Sequence, residues 1–242
     1  MNYDLTKFKH GLKELNISLT DQQIEQFLQY YEMLIEKNKV MNLTGITEFE
    51  EVIQKHFLDS LSLIRVIPDL AKHNFKIIDL GTGAGFPGLP LKIAFPNLEI
   101  TLMDSLNKRI NFLNEVIDSL GLQKVTAVHG RAEEMASNAA HRQQYDLCVS
   151  RAVSNLAVLS EYCLPFVAKG GTFISYKSAD SDTEIQEAKK AISILGGKLE
   201  KIDKFTLPNS DLGRSLVCIK KVKDTPKKYP RKAGTPAKLP LK

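Results

Sequence analysis

The chain has no tryptophan and only three cysteines, Cys148, Cys163 and Cys218. These cysteines have neither the paired spacing of a zinc site nor the number needed for a disulfide framework, so a reducing cytosol is the expected setting. No Ser-His-Asp, Cys-His or metal-ligand spacing occurs, which leaves hydrolytic triads and metal chemistry without support. No apolar run is long enough for a bilayer, and Met1-Asn-Tyr-Asp-Leu5 lacks the basic-then-apolar order of a signal. Asn42-Leu-Thr44 is formally a glycosylation sequon and means nothing without secretion. Repeats are absent, and no low-complexity stretch precedes the C-terminal end. What remains is 242 residues, 43% hydrophobic and 25% charged, an ordinary globular composition able to bury a core without staples.

One stretch organises the rest: Lys76-Ile-Ile-Asp-Leu-Gly-Thr-Gly-Ala-Gly-Phe-Pro-Gly88. Ile77, Ile78 and Leu80 read as a buried strand that feeds a tight turn. Gly81, Gly83 and Gly85 allow close approach of a ligand to bare backbone. As letters, Gly83-x-Gly85-x-x-Gly88 also satisfies the dinucleotide fingerprint, so a nicotinamide-dependent dehydrogenase is one reading. Asp79 argues against it. A carboxylate beside the turn repels a pyrophosphate, which wants helix N–H groups and positive charge. Pro87 and Pro90 thin the array of amides further. The acid instead suits an ammonium or a sulfonium; S-adenosylmethionine carries both and no phosphate. Strand, acid, then Gly-x-Gly-x-Gly resembles motif I of class I methyltransferases. Downstream, Glu99–Asp104 reads as the next strand, and Asp104 stands where a ribose diol is gripped in such folds. Each acid has a plainer reading: Asp79 as a turn cap, Asp104 as part of a helix N-cap.

Residues 1–72 read as a helical cap. Thr20-x-x-Gln23 and Thr47-x-x-Glu50 are capping boxes ahead of helically spaced apolar residues, and Pro68 ends the second helix. The amide-rich loop Lys37–Gly45 lies between them. Residues 73–222 alternate strand and helix, with five strands joined by helices and a terminal antiparallel pair. The expected fold is α/β: a doubly wound, mostly parallel seven-stranded sheet with one antiparallel strand, plus the helical cap. Helices are expected over 106–120 and 155–168, the second bent by Pro165. Residues 223–242 form a basic tail. From Lys220 to Lys242 nine Lys/Arg face one acid, Asp224, while the rest of the chain is net negative. Such asymmetry suggests a phosphate backbone as partner, or else a solvated tail.

Ligands of doubly wound sheets bind outside the C-terminal strand ends. Asp79, Asp104, Ala132-Glu133 and Arg151 all fall there. Ala132 offers a surface for an adenine, with Glu133 nearby; the plain reading of Glu133 is an acid in a helix's first turn. Arg151 is positioned to hold a methionine carboxylate or an incoming phosphate, or to pair with Glu133 or Asp79. Phe86 covers the turn or plugs into the helix beneath. His56 and Asp59 share a helix face, as an acid–base pair or, the favoured reading, as a structural contact.

Several runs carry a closer resemblance: Asn42-Leu-Thr-Gly-Ile46, His56-Phe-Leu-Asp-Ser-Leu61, Asp79-Leu-Gly-Thr-Gly-Ala-Gly-Phe-Pro-Gly88, Gly130-Arg-Ala-Glu133, Ser150-Arg-Ala152 and Lys228-Tyr-Pro-Arg-Lys-Ala-Gly-Thr-Pro236. Together, over nearly the whole chain, they resemble the bacterial small-subunit ribosomal RNA guanine-N7 methyltransferases, the family also named glucose-inhibited division protein B. The resemblance implies a class I methyltransferase domain over 73–222 that uses S-adenosylmethionine. Gly81, Phe86, Ala132, Glu133 and Arg151 are its implied cofactor contacts, beside Asp79, Gly83, Gly85 and Asp104 from the turn and strand tips. The implied partner is 16S rRNA, in the small ribosomal subunit or its precursor, with no membrane involved. A cytoplasmic monomer is expected. Arg151 and Asn42 are the candidate catalytic residues, and Lys37, Lys39, Lys227, Lys228, Arg231 and Lys232 the candidate RNA contacts. A small-molecule methyltransferase is the nearest rival, but it gives the basic tail no role.

Overall fold

The computed structural model describes residues 3–151 and 153–241; Ala152 of the Ser-Arg-Ala run and Lys242 of the basic end lie outside them. Helix α1 spans Thr6–Glu14 and α2 spans Asp21–Met41. The first capping box forms: Gln23 N–H donates to Thr20 Oγ1 at 3.2 Å, and Thr20 N–H to Gln23 Oε1 at 2.8 Å. Phe27, Tyr30, Tyr31 and Leu34 then make the buried stripe of α2. The second box does not form. Glu48 takes the cap position of α3 (Phe49–Val52), and the Thr47 carbonyl accepts from the Tyr31 hydroxyl at 3.0 Å. The chain continues as a π-helical turn, Ile53–Leu58, then α4 (Asp59–Leu61) and a 3₁₀ turn, Ser62–Arg65.

The sheet follows in the order β1 (Lys76–Leu80), α5 (Gly88–Ala94), β2 (Glu99–Asp104), α6 (Asn107–Ser119), β3 (Val125–His129), α7 (Ala132–Met135), β4 (Tyr145–Arg151), α8 (Leu156–Cys163), β5 (Val167–Ser178), α9 (Asp182–Ile194), β6 (Gly197–Thr206) and β7 (Gly213–Lys221), with α10 (Thr235–Lys238) near the end. Helix α8 stops short of its expected end because Pro165 sits in a 3₁₀ turn, Leu164–Phe166, that runs straight into β5. Strand order is β3-β2-β1-β4-β5-β7-β6. Strand β7 is antiparallel to both neighbours, so it alone runs against the sheet. This is the doubly wound α/β sheet expected, with the last strand inserted between β5 and β6.

Successive strand residues point to opposite faces, and each face has its own core. Ile77, Ile100, Leu102 and Val149 pack with α1, α2, α5, α6 and the 49–65 stretch. Ile78, Met103, Cys148 and Phe173 pack with α8 and α9. The N-terminal helices therefore share their core with the sheet. The buried Tyr30 hydroxyl of α2 reaches the glycine turn and donates to the Ala84 carbonyl at 2.6 Å.

The basic end is folded back, not loose. Arg142 donates to the carbonyls of Thr225 (2.9 Å) and Tyr229 (3.0 Å). Arg231 grips the fully buried Glu161 with two parallel bonds, Nε to Oε1 at 2.9 Å and Nη2 to Oε2 at 2.7 Å. Lys221 is also buried, donating to the Leu164 carbonyl and Thr225 Oγ1, and burial lowers its pKa to about 7. Of the cations counted over 220–242, Lys221 and Arg231, the latter a candidate RNA contact, are therefore engaged within the protein. Buried carbonyl and carboxylate acceptors draw both cations inward.

Replacing Tyr30 with Phe leaves the Ala84 carbonyl without its donor beside the turn. Urea unfolding of Tyr30→Phe should show a loss of about 1–2 kcal/mol; unchanged stability would mean that this bond does not anchor α2.

Candidate active site at the strand ends

The turn after β1 is built so that most of its amides have partners within the protein. Gly81 and Thr82 N–H donate to the Met103 carbonyl at 2.9 and 3.1 Å. Gly83 N–H donates to Asp104 Oδ2 at 3.0 Å. Gly85 and Phe86 N–H both donate to the Thr82 carbonyl at 2.9 Å. At the first residue of α5, Gly88 N–H donates to Asp79 Oδ2 at 2.8 Å, and the Thr82 hydroxyl donates to the same oxygen at 2.6 Å. A helix start is ordinarily an anion site because such amides are free. Here carboxylates and carbonyls hold them. Glycine is required by geometry: a Cβ on Gly88 would lie 2.3 Å from Leu102 Cδ2, and Gly81, at φ +72°, would meet Val153 at 2.6 Å.

Asp79 is fully buried beneath this turn, so it acts on the site from below. Burial pushes its pKa up to about 7, against the lowering pull of the Thr82 and Gly88 hydrogen bonds and of Arg151. Its Oδ1 has no hydrogen-bond partner. The expectation of a firmly negative Asp79 facing the ligand is thus corrected: its work is to take the Gly88 amide.

A cleft of about 490 Å³ opens over the ends of β1, β2 and β3. Gly81, Asp104, Ala132 and Glu133 line it, as does Gly130. Asp79, Gly83, Gly85, Phe86 and Arg151 do not. Asp104 is buried yet borders the cleft, holding Leu106 N–H on Oδ1 (2.9 Å) and Arg109 Nη1 on Oδ2 (3.1 Å). Glu133 Oε1 accepts Gly234 N–H at 3.1 Å, so the folded-back end closes one wall. Sequence reasoning missed Arg109, Tyr162, Val153 and Gly234 on this lining. Arg109 alone left a signal, a cation about one helical turn after Asp104. Arg109 and Arg131 also make the cleft mixed in charge, not uniformly negative.

Arg151 points the other way. Its Nη1 donates to Asp59 Oδ2 at 2.7 Å and to the Lys55 carbonyl at 3.1 Å, and its guanidinium lies 5.1 Å from the centre of the Phe86 ring. The partner is neither Glu133 nor Asp79. Nη2 lies 3.2 Å from His56 Nδ1. A guanidinium only donates, so Nδ1 is the acceptor and Nε2–H donates to Thr44 Oγ1 at 2.8 Å. Burial first, then Arg151, lowers the His56 pKa to about 3, which fixes a neutral ring stacked on Phe86 at 4.4 Å. Asn42 closes α2 in the left-handed conformation and is exposed, outside the cleft. Lys37 pairs with Glu115 at 2.6 Å and Lys39 with Glu36 at 2.5 Å. Lys227, Lys228 and Lys232 are exposed, whereas Arg231 is committed to Glu161.

A family model described as GidB, rRNA small subunit methyltransferase G, matches residues 23–213. The chain belongs to this family. Across GidB relatives, it is 57% identical to the ribosomal RNA small subunit methyltransferase G of Lachnoclostridium phytofermentans, over 98% of each chain. It is 51% identical to the protein of that name from Lactococcus lactis subsp. cremoris, again over 98% of each. Among solved structures, it resembles TrmN from Thermus thermophilus at TM-score 0.52 and 14% identity, covering 68% of this chain and 48% of that one. It also resembles M. jannaschii TYW2, crystallised with AdoMet, at TM-score 0.50 and 12% identity, covering 66% and 74%. These two likenesses speak for the fold: the GidB chain has a class I methyltransferase sheet. Among its described residues no helix is long and apolar enough to cross a membrane.

The raised pKa of Asp79 gives a pH signature. A carboxyl whose folded pKa lies above its usual value stabilises fully below that usual value and loses the contribution as pH rises through the folded one. Relative to Asp79→Asn, the wild type should lose on the order of 2–4 kcal/mol between about pH 4 and pH 8. Urea unfolding at each pH measures this; a difference that does not vary with pH would contradict the assignment.

Proposed function

We propose that this chain transfers the methyl group of S-adenosylmethionine to N7 of a guanine in 16S ribosomal RNA, in the small subunit or its precursor. One observation carries the donor: the amides that would cradle a dinucleotide's phosphates already serve Asp79, Asp104 and main-chain carbonyls. A phosphate-free nucleoside fits such a turn, and a dinucleotide does not. The RNA acceptor rests on the names of relatives that match end to end.

The residues present suit the donor. Asp104 would accept the ribose hydroxyls, its carboxylate already oriented by the Leu106 and Gly83 amides. Ala132 would lie against the adenine, with Glu133 beside its amine, and Gly81 would let the donor approach the backbone. Phe86 and Arg151 support the turn from behind. When bound, S-adenosylmethionine supplies an electrophilic methyl on a positively charged sulfur. Guanine N7 offers an sp² lone pair that carries no proton, so the protein needs no general base for it. Its task is to align N7 with the methyl carbon and sulfur, and such orientation is worth up to ~7–11 kcal/mol. The acceptor guanine must be unpaired or splayed from its stack. Lys227, Lys228 and Lys232 are the exposed cations proposed to meet RNA phosphates.

Incubation with labelled S-adenosylmethionine and small-subunit RNA or particles, followed by mapping of the modified base, tests this directly. The expected product is N7-methylguanine in 16S rRNA, and Asp104→Ala should lower kcat/KM about a hundredfold, mainly through KM for the donor. Label in another base, or none in RNA, would overturn the reading.

A further inference from the structure

The other half of the sheet edge carries a second cavity. It is an open groove of about 360 Å³ over β4, β5 and β7, and its lining includes His56, Asp59, Arg151, Tyr176 and Arg214. Strands β2, β1 and β4 are consecutive neighbours in the sheet. A donor held by its ribose at Asp104 on β2 and extending over β1 would point its far end toward this cavity. Gly81 and Val153 border the first cleft, and Arg151, two residues before Val153, borders the second.

Most of the polar side chains here are committed. Tyr176 donates its hydroxyl to the Ser60 carbonyl at 2.8 Å. His56 is engaged by Thr44 and Arg151, Lys177 by Glu184 and the Ser154 carbonyl, and Lys55 by Glu51. Arg214 Nη1 donates to the Gly213 carbonyl. Asp59, 4% exposed, gives Oδ2 to Arg151, but its Oδ1 accepts no hydrogen bond. Arg214 Nε lies 3.3 Å away, close enough for charge but not directed as a bond. A buried carboxylate that lines a cavity and has an oxygen without a hydrogen bond is a candidate acceptor for a ligand N–H, which a small turn of the side chain would bring to that oxygen. The π-helical turn Ile53–Leu58, an uncommon geometry that recurs at functional sites, delivers His56 and leads directly into Asp59.

We infer that this second cavity receives the acceptor guanine and that Asp59 Oδ1 reads its Watson–Crick edge, taking N1–H with the 2-amino group beside it. The assignment rests on the proposed methyl transfer and adds to it the residue that chooses the base. Guanine presents donors on that edge. Adenine presents the N1 lone pair instead, which would set two acceptors face to face. N7 lies on the opposite side of the purine from the 2-amino group, turned toward the donor cleft. In the transfer the N7 lone pair forms the N7–carbon bond, the carbon–sulfur pair stays on sulfur, and no proton moves. The purine gains positive charge as it does so, and the carboxylate of Asp59 stabilises that charge more in the transition state than in the reactant.

The test measures kcat/KM on small-subunit RNA carrying guanine, adenine or inosine at the mapped position, for wild type and Asp59→Asn. Donor affinity is measured by calorimetry and folding by thermal melting. The wild type should prefer guanine over adenine at least a hundredfold and over inosine, which lacks the 2-amino group, about tenfold. Asp59→Asn offers an N–H to adenine N1, so its preference for guanine should shrink at least tenfold while the Kd for S-adenosylmethionine stays within about twofold. Retention of the full preference by a folded Asp59→Asn would overturn the inference, as would equal wild-type rates on guanine and inosine. If the variant fails to fold, the inosine comparison on the wild type decides alone. Absence of transfer to any RNA by the wild type would remove the functional reading and this inference together, whereas normal transfer without discrimination removes only the inference.

Discussion

Two buried carboxylates at neighbouring strand tips hold the amides of one glycine turn, and the rest of the molecule is arranged around that fact. Asp79 on β1 takes the Gly88 N–H, and Asp104 on β2 takes the Gly83 N–H. Buried acceptors without donors are costly, as are buried amides without acceptors. Each group therefore fixes the other, and the turn is rigid before any ligand arrives. The same bonds leave little of the amide cradle on which phosphate-binding turns rely. The choice between a nucleotide with phosphates and one without is made by hydrogen-bond occupancy more than by the net charge of the cleft, which Arg109 and Arg131 keep mixed.

The elements flanking the sheet complete the site. The 49–65 stretch carries His56 and Asp59 to Arg151 at the end of β4, and Tyr30 of α2 ties the helices to Ala84 of the turn. At the other end of the chain, Arg231 is drawn onto the fully buried Glu161, which brings Gly234 against Glu133. The N-terminal helices thus help wall the second cavity and the C-terminal segment helps wall the donor cleft. Neither behaves as an accessory piece.

The sheet was legible in the sequence because strand periodicity, glycine stops and strand-end acids are local signals. Asp104, Ala132 and Glu133 were found for the same reason: position after a strand predicts position at the sheet edge. Asp79 was read to the right conclusion by a different cause. Repulsion from an exposed charge was expected, whereas the structure buries the acid and has it capture the helix-start amide. Contacts between distant segments were not legible. Arg151 meets Asp59 across 92 residues and Arg231 meets Glu161 across 70, and no local pattern announces either pair. Arg214 reaches the second cavity only because β7 inserts between β5 and β6, a matter of sheet order that periodicity does not encode.

The claim that occupied amides decide the ligand is tested most directly by calorimetric titration of the intact chain with S-adenosylmethionine, S-adenosylhomocysteine and NADH. Binding of both phosphate-free ligands with no heat from NADH is the predicted outcome. Tight binding of NADH with the other two ignored would contradict the account at its root.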